Sequence, residues 1–264
     1  MTEIHIQEYR TGWADMGGRH VVVSGGGTGI GLATAEAFAA DGDRVVLLGR
    51  RENVLRKAAD ALNERFGPAT VSWHAVDLAD PEQVGAARDS IVADGTPVDV
   101  LVANAGGNAA GAHDGSLASV ADSYRRNFDA NVLTAVLLTE ALLPHVRRPG
   151  GRIVQLSSIA SLRGPGSYGG SKGWINTYTY DLAQRVGSEG ITVNAVAPGF
   201  VGDTEFFGDR ATPEFVAARV AQSLTGQPGR PAQIAAAIRY VASPEAAYVT
   251  GQLLHVNGGA ALGR

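Results

Sequence analysis

Residues 20–31 read HVVVSGGGTGIG, a β-branched apolar run followed at once by a glycine-rich turn. After the turn, Ile30, Ala37 and Phe38 fall on one helical stripe. Gly42 then supplies a residue that commonly ends a helix. Glycines between a strand and a helix let the backbone approach a pyrophosphate, which binds the free amides at the helix N-terminus. The stretch therefore predicts a dinucleotide site, although its spacing, G-x-x-x-G-x-G, differs from the commoner G-x-G-x-x-G.

Further apolar runs of the same kind follow along the chain. Together with residues 20–24, they cover 44–48, 70–76, 98–102, 152–156, 191–196 and 253–256. Each run is almost continuously apolar, as in strands that are covered on both faces. Their alternation with helical segments predicts an α/β fold: a single doubly wound Rossmann-type domain with a mainly parallel, about seven-stranded sheet flanked by helices.

The chain shows no repeat or Pro/Ser-rich linker that would divide it. We therefore expect an N-terminal arm over residues 1–17 and one domain over residues 18–264. The segment 200–230 is too long for an ordinary connection between a strand and a helix, and it includes several phenylalanines. We predict that this segment is a lid over the substrate.

The composition narrows the chemistry. The chain has 264 residues, a formal charge of −4 and no cysteine, which excludes disulfides, a thiol nucleophile and thiolate metal sites. Its charges are scattered, so we expect neither a nucleic-acid nor a membrane partner. The first residues carry charges and no apolar run, so we expect no secretory signal and a cytoplasmic protein. The histidines are dispersed, and we expect no metal site.

The end of the second apolar run bears on the choice of cofactor. An NAD-binding protein usually has an acidic residue here that holds the ribose 2′-hydroxyl. This chain has Gly49, Arg50 and Arg51 instead. Two guanidiniums can hold a 2′-phosphate, which favours NADP(H) over NAD(H). The alternative is that Arg50 and Arg51 are ordinary solvated residues of the next helix.

Residues 168–172 read YGGSK, which places Tyr168 and Lys172 one turn apart if the segment is helical. An ammonium near a phenol favours the phenolate, so we expect Lys172 to lower the pKa of Tyr168 from its ordinary value of about 10. A tyrosine of this kind exchanges a proton with a substrate oxygen. Alone, this pair is a weak signal, because helices contain it by chance.

The pair gains weight from motifs placed along the whole chain. In chain order they are Ser24-Gly25-x-x-x-Gly29-x-Gly31, Asp77-Leu78, Asn104-Ala105-Gly106, Asn131, Ser157-Ser158, Tyr168-x-x-x-Lys172, Pro198-Gly199 and Asn257-Gly258-Gly259. From about Gly18 to Gly259 the sequence resembles the short-chain dehydrogenase/reductase family. Ser24 replaces the family's threonine and keeps the hydroxyl.

The resemblance implies a role for each catalytic residue. Tyr168 is the general acid in reduction and the general base in oxidation, and Lys172 lowers its pKa and binds the nicotinamide ribose. Ser158 hydrogen-bonds the substrate oxygen. Asn131 anchors a water path that resupplies the proton.

The resemblance also implies a cofactor site, a substrate class and an assembly. The implied cofactor-binding residues are Gly25, Thr28, Gly29, Ile30, Gly31, Arg50, Arg51, Asp77, Leu78, Asn104, Ala105, Gly106, Tyr168, Lys172, Pro198, Gly199, Val201 and Thr204. The implied substrate is a small carbonyl compound or alcohol, with a 3-oxoacyl thioester as the first guess. The implied assembly is a homo-oligomer, commonly a tetramer.

The sequence departs from the family pattern in two places. The loop between Ser158 and Tyr168 is shorter than in many members, which leaves Ser157 and Ser161 as alternatives; we favour Ser158, the second serine of its pair. Thr204 lies one position further from Pro198 than is usual. Two other functions stay open: an NAD(H)-dependent alcohol dehydrogenase of the same family, and a non-catalytic dinucleotide-binding sensor or scaffold, which the retained tyrosine and lysine disfavour.

Overall fold

A computed structural model describes residues 18–110, 114–164 and 166–262; the predicted N-terminal arm, residues 1–17, lies outside them. The strands are β1 (His20–Ser24), β2 (Arg44–Gly49), β3 (Val71–Ala75), β4 (Val100–Ala103), β5 (Arg152–Leu156), β6 (Thr192–Pro198) and β7 (Leu253–Val256). They form one seven-stranded sheet in the order β3-β2-β1-β4-β5-β6-β7, and every neighbouring pair is parallel. The predicted fold class is confirmed.

The helices alternate with the strands. They are α1 (Gly29–Ala40), α2 (Glu52–Phe66), α3 (Pro81–Ile91), α4 (Leu117–Phe128), α5 (Thr134–Leu142), α6 (Ala160–Arg163), α7 (Gly166–Val186), α8 (Pro213–Val220) and α9 (Pro231–Val241). A π-helical turn, Asp129–Leu133, joins α4 to α5. Their starts follow local chemistry: α3, for example, has Pro81 in its first turn, and the Asp80 carboxylate caps it by accepting from the amides of Glu82 and Gln83.

The core has one layer on each face of the sheet. Phe38 of α1, Leu55 of α2 and Ile238 of α9 pack against one face. Leu138 of α5 and Leu182 of α7 pack against the other. All five side chains are almost fully buried, and burying each one stabilises the fold by about 1.5–3 kcal/mol. The continuous apolar runs are needed because side chains on both faces of each strand are covered.

Several strand boundaries differ by one or two residues from the sequence-based expectation, and two of these differences are the largest. The fourth strand begins at Val100, and Val98 forms an isolated bridge to Val146 instead. The sixth strand extends to Pro198, which therefore ends the strand rather than following it. Proline is tolerated at this position because it is the last residue of β6, beyond the end of the neighbouring β5 at Leu156.

Residues 200–230 form an excursion beyond the carboxyl end of β6. Val201 and Gly229 pair as an isolated parallel bridge, so the segment leaves and returns at nearly the same place. Between them lie a short 3-10 turn, Gly208–Arg210, and α8. The sheet meanwhile reverses its winding between β1 and β4, and ligands of doubly wound sheets bind in the crevice at that point.

Candidate active site

The glycine-rich turn is fixed to both neighbouring strands. The Gly25 amide donates to the Leu48 carbonyl oxygen of β2 at 2.7 Å. From the end of β4, the Asn104 side-chain amide donates to the Ser24 carbonyl oxygen at 2.8 Å. The Ala105 amide donates to the Ser24 hydroxyl at 2.9 Å. Ser24 therefore joins β1 to the Asn104-Ala105-Gly106 motif, a role that needs its hydroxyl.

The first turn of α1 has the shape and charge that an anion requires. A Cβ on Gly31 would lie 2.1 Å from the Gly25 carbonyl oxygen, so only glycine fits there. Thr28 precedes the helix without capping it by a side-chain hydrogen bond, and the first turn contains no acidic residue. The first amides of a helix have no partner within the helix and sit at the positive end of its dipole. The turn thus fits a pyrophosphate, held by the main chain of Thr28 to Gly31, while the Ile30 side chain packs on the core.

Arg50 and Arg51 lie directly after β2 and are exposed. Arg51 Nη2 is 2.8 Å from Glu205 Oε2, an ion pair that joins the end of β2 to residues 200–230. After β3, the Asp77 carboxylate accepts from the Ala79 amide. The Leu78 side chain belongs to the core, so its main chain is the part left for a ligand.

Asn131 lies in the π-helical turn, where such distortions often mark functional sites. Its side chain is buried. The side-chain amide donates to the carbonyl oxygens of Gly107 at 2.8 Å and Asn127 at 2.9 Å. Its oxygen accepts from the Gly107 amide at 3.1 Å. Asn131 therefore holds the chain just beyond Gly106 by both main-chain groups of Gly107.

Lys172 reaches the same place from α7. A Cβ on Gly106 would lie 2.6 Å from Asn131 Oδ1 and 3.3 Å from Lys172 Nζ, so a glycine is needed where these side chains converge. Lys172 Nζ donates to the Leu156 carbonyl oxygen at 2.8 Å. Burial lowers the pKa of Lys172 to about 8, because a charged group loses hydration inside the protein.

Tyr168 lies one turn before Lys172, as predicted, and Lys172 Nζ is 6.0 Å from the centre of its ring. The expected lowering of the pKa of Tyr168 is wrong for the protein alone. Burial raises the pKa of Tyr168 to about 12, and a hydrogen bond with Ser158 offsets this rise only in part. The desolvation of the phenolate outweighs the favourable contacts.

The three candidate serines have different partners. The Ser157 hydroxyl donates to Asn176 Oδ1 at 2.5 Å and is buried. The Ser161 hydroxyl donates to the Ser158 carbonyl oxygen at 2.7 Å. Ser158 is the serine that hydrogen-bonds Tyr168, and its hydroxyl also accepts from the Ala160 amide.

The excursion closes over the tyrosine from the other side. The ring centres of Phe206 and Tyr168 are 5.8 Å apart. Thr204 reaches the glycine-rich turn, since a Cβ on Gly29 would lie 3.5 Å from Thr204 Cγ2.

The end of β6 is hydrogen-bonded to the loop that follows Ser157 and Ser158, and to β7. The Ile159 amide donates to the Pro198 carbonyl oxygen at 2.9 Å, and the Gly199 amide donates to the Val256 carbonyl oxygen at 3.0 Å. The Val201 side chain is buried in the core.

Three polar residues at the site were not found by sequence reasoning: Asn127, Asn176 and Glu205. Only Asn127 left a usable signal, because it lies one helical turn before Asn131 on the same face. The partners of Asn176 and Glu205 are distant in sequence, at Ser157 and Arg51.

Within residues 18–110, 114–164 and 166–262, no group of three or more histidine or acidic side chains is placed to hold a metal ion. In the same part of the chain, no helix combines the length and the apolar character needed to cross a membrane. The site described above fits a dinucleotide for two reasons: it contains the glycine-rich turn, and polar side chains converge beside that turn.

Comparison with known proteins agrees with this geometry. A family model described as enoyl-(acyl carrier protein) reductase matches residues 25–261. The chain is 36% identical to the short-chain reductase protein NovJ of Streptomyces niveus over 249 residues, which cover 90% of this chain and 92% of that protein. It is 34% identical to the 3-oxoacyl-[acyl-carrier-protein] reductase FabG of Escherichia coli over 248 residues, which cover 92% of this chain and 97% of that protein.

Two solved structures share the architecture. A short-chain dehydrogenase from Burkholderia cenocepacia in complex with NADP superposes with a TM-score of 0.82 and 30% identity, over 92% of this chain and 97% of that one. The L-sorbose reductase of Gluconobacter frateurii, complexed with NADPH and L-sorbose, superposes with a TM-score of 0.81 and 29% identity, again over 92% of this chain and 97% of that one.

Proposed function

The chain belongs to the short-chain dehydrogenase/reductase family, and on that premise we propose that it is an NADP(H)-dependent oxidoreductase that interconverts a ketone and a secondary alcohol. One observation carries this proposal: Tyr168, whose phenol interacts with Ser158, lies one turn from the buried Lys172 and at the same carboxyl end of the sheet as the glycine-rich turn. This arrangement brings a proton donor next to a dinucleotide site.

The protonation state of Tyr168 favours its use as an acid. With a pKa of about 12, the phenol keeps its proton at neutral pH. When bound, NADPH supplies a hydride to the carbonyl carbon. Negative charge then develops on the carbonyl oxygen, which needs donors already in place. The Ser158 hydroxyl steadies that oxygen by a hydrogen bond, and the Tyr168 hydroxyl gives it a proton, which completes the alcohol.

Lys172 and Asn131 support the proton donor. In this proposal the Lys172 ammonium stabilises the phenolate that is left after proton transfer and also donates to ribose hydroxyls; the proximity of Lys172 Nζ to Gly106 supports this role. Asn131 holds Gly107 and so shapes the wall of the same cavity. In this proposal it also anchors the water path that returns a proton to Tyr168.

The preference for NADP(H) rests on the end of β2. Gly49 stands there without a carboxylate, and the exposed Arg50 and Arg51 follow it. A guanidinium fork matches the oxygens of a 2′-phosphate. Two structural relatives, from Burkholderia cenocepacia and Gluconobacter frateurii, were solved with NADP and NADPH. Asp77, Asn104, Pro198 and Thr204 complete the proposed contacts.

The proposed substrate is a ketone with an apolar portion, and a 3-oxoacyl thioester is the first to test. Phe206 packs on Tyr168, and Phe200, Phe207 and Phe215 extend the aromatic surface. Such a surface favours an acyl chain over a sugar. The Escherichia coli relative is named for a 3-oxoacyl substrate.

We propose a homo-tetramer in the cytoplasm as the working form. Large apolar side chains lie exposed on the adjacent helices α4 and α7: Tyr124, Phe128, Trp174 and Tyr180. Exposed aromatic surface of this kind is typical of interfaces between subunits. Light scattering after size exclusion checks the assembly, and a monomer at micromolar concentration would contradict it.

The experiment that tests the activity follows NADPH oxidation by absorbance with a 3-oxoacyl thioester and with L-sorbose. We expect turnover of the thioester, and we expect Tyr168→Phe to lower kcat by about 10²–10⁴-fold because the general acid is lost. Tyr240→Phe is the matched control, since it removes the hydroxyl of an exposed tyrosine on α9, outside the proposed subunit interface. Undiminished turnover by Tyr168→Phe would disprove the mechanism, and turnover of L-sorbose alone would disprove the substrate class.

A further inference from the structure

Asn127 is a fully buried amide on α4 that every motif of the sequence leaves unassigned. Its side chain has three polar neighbours. Nδ2 donates to the Ser167 hydroxyl at 2.8 Å and to the Ser123 carbonyl oxygen at 3.3 Å. Oδ1 accepts from the Ala109 amide at 3.0 Å. Its donors and its oxygen are therefore all in use, which is what a buried amide requires.

These bonds reach three parts of the candidate site at once. Ser167 lies in the first turn of α7 and directly precedes Tyr168. Ala109 lies two residues after Gly107, and the Asn131 side chain holds Gly107 by two hydrogen bonds. The main-chain carbonyl of Asn127 accepts from the Asn131 side chain at 2.9 Å. Asn127 thus touches the residue before Tyr168, the loop after β4 and Asn131.

The Ser167 hydroxyl closes the cluster. It also shares a hydrogen bond of 2.9 Å with the Ser123 hydroxyl, one turn before Asn127 on α4. Ser123 and Ser167 are both buried. The first turn of α7 is therefore tied to α4 by hydrogen bonds that water cannot easily replace.

We propose that Asn127 is a positioning residue: it fixes Tyr168, through Ser167, relative to the loop 107–110 and Asn131. The proposal rests on the proposed oxidoreductase function. An amide suits the task because it donates to one segment and accepts from another in the same plane. Alanine can do neither, and aspartate keeps the acceptor for Ala109 but loses the donor for Ser167.

The test compares Asn127→Ala with Asn194→Ala. Asn194 is an equally buried amide on β6, and its side chain ties β6 to residues 249–252 by donating to the Val249 carbonyl oxygen and accepting from the Gln252 amide. Both variants lose a buried amide with two-sided bonding, so both lower the melting temperature. Only Asn127→Ala is expected to lower kcat strongly, by about 10²-fold, because a displacement of about 1 Å at the reacting group costs that much. The KM for NADPH changes little.

The division between kcat and KM separates positioning from general destabilisation. In Asn127→Ala we expect kcat to fall without a matching rise in the KM for NADPH or for the ketone, because Tyr168 is displaced while the binding surfaces stay intact. Asn194→Ala should keep the kcat of the unchanged protein. If both variants show the same kcat, the proposal is wrong.

A double-mutant cycle tests the route through Ser167. If Asn127 acts through Ser167, then Asn127→Ala and Ser167→Ala lower kcat by less together than the product of their separate effects. Independent, multiplying effects would overturn this route.

Hydrogen exchange measures the contacts of Asn127 directly and does not require turnover. Asn127→Ala should increase exchange at the Ala109 amide and in the first turn of α7, and Asn194→Ala should not. If the unchanged protein reduces no ketone, the proposed function fails while this comparison still decides the role of Asn127. Unchanged exchange at Ala109 would refute that role.

Discussion

The glycine-rich turn, residues 24–31, and the excursion over residues 200–230 face each other across the site, and they are built in opposite ways. Ser24 is buried, and the turn is held by main-chain and side-chain hydrogen bonds from β2 and β4. The excursion is largely exposed: Leu224 is 75% accessible and Phe206 38%. It is fastened by the bridge of Val201 to Gly229 and by an exposed ion pair between Arg51 and Glu205.

The contrast matches what each region has to recognise in the proposed reaction. A dinucleotide phosphate is the same for every member of a reaction class, so backbone amides in a rigid turn serve it well. Substrates differ, and exposed segments tolerate the changes of sequence that distinguish them. Residues in the turn should therefore govern stability and cofactor affinity together, whereas the exposed aromatic residues of the excursion should govern substrate use.

The largest expected effect is that of Gly31→Ala. The new Cβ would lie 2.1 Å from the Gly25 carbonyl oxygen, and relieving such overpacking costs about 1–3 kcal/mol or more. We expect the Kd for NADPH to rise about 10- to 100-fold with a lower melting temperature, measured by fluorescence titration and calorimetry. Gly85→Ala in α3 is the control: a Cβ there meets nothing within 4 Å, so it should stabilise the helix by about 0.5–1 kcal/mol. If Gly31→Ala bound NADPH as tightly as the unchanged protein, the proposed difference between the turn and the excursion would be wrong.

The second prediction concerns Lys172, the buried ammonium between the two regions. Because its pKa falls from 10.5 to about 8 on folding, the unfolded chain binds more protons above pH 8, and stability rises with pH there. Between pH 8 and 9.5 we expect the unfolding free energy to rise by about 2 kcal/mol relative to Lys172→Met, in denaturant titrations.

Lys57 provides the matched control for that measurement. It lies exposed on α2 and is the other lysine of the chain. Lys57→Met should show the same rise with pH as the unchanged protein. A rise of equal size in Lys172→Met would mean that the burial of Lys172 is not its cause.

The third prediction concerns Arg51, which follows β2 and forms an ion pair with Glu205 of the excursion. A hydrogen bond to a charged group contributes about 1.5–3 kcal/mol. We expect Arg51→Ala to raise the Kd for NADPH about tenfold or more and to leave the Kd for NADH unchanged. Arg56→Ala removes an exposed arginine further along α2 and should change neither. Tighter binding of NADH than of NADPH by the unchanged protein would overturn the assignment of Arg50 and Arg51.

The smallest effect is expected in the excursion. Phe206→Ala removes the ring that contacts Tyr168, and an aromatic pair contributes about 0.5–1.5 kcal/mol. We expect kcat/KM for an apolar ketone to fall by up to about tenfold, with little change in NADPH affinity or melting temperature. Leu224→Ala is the control, because it removes an exposed apolar side chain of the same excursion that is not part of the aromatic surface. A large loss of stability in Phe206→Ala would show that the excursion is structural.

The sequence by itself determined the architecture and the family. Continuous β-branched runs separated by helical stripes correspond to parallel strands covered on both faces, because a strand buried on two faces does not alternate polar and apolar residues. The turn at residues 24–31 and the pair Tyr168 and Lys172 were predictable for a similar reason. Their chemistry depends on neighbours along the chain, and a helical turn brings the two side chains to one face.

Tertiary structure alone decided the electrostatics and the supporting contacts. The pKa of Tyr168 rises where the sequence suggested a fall, because desolvation depends on how the whole chain packs around the phenol. The partners of Ser157 and Arg51, Asn176 and Glu205, are far away along the chain. From the sequence, Asn127 could be recognised only as a neighbour of Asn131. Its bonds to Ser167 and Ala109 form when α4, α7 and the loop after β4 pack together. Local pattern specifies which groups are present, whereas packing specifies their hydration and the distances between them.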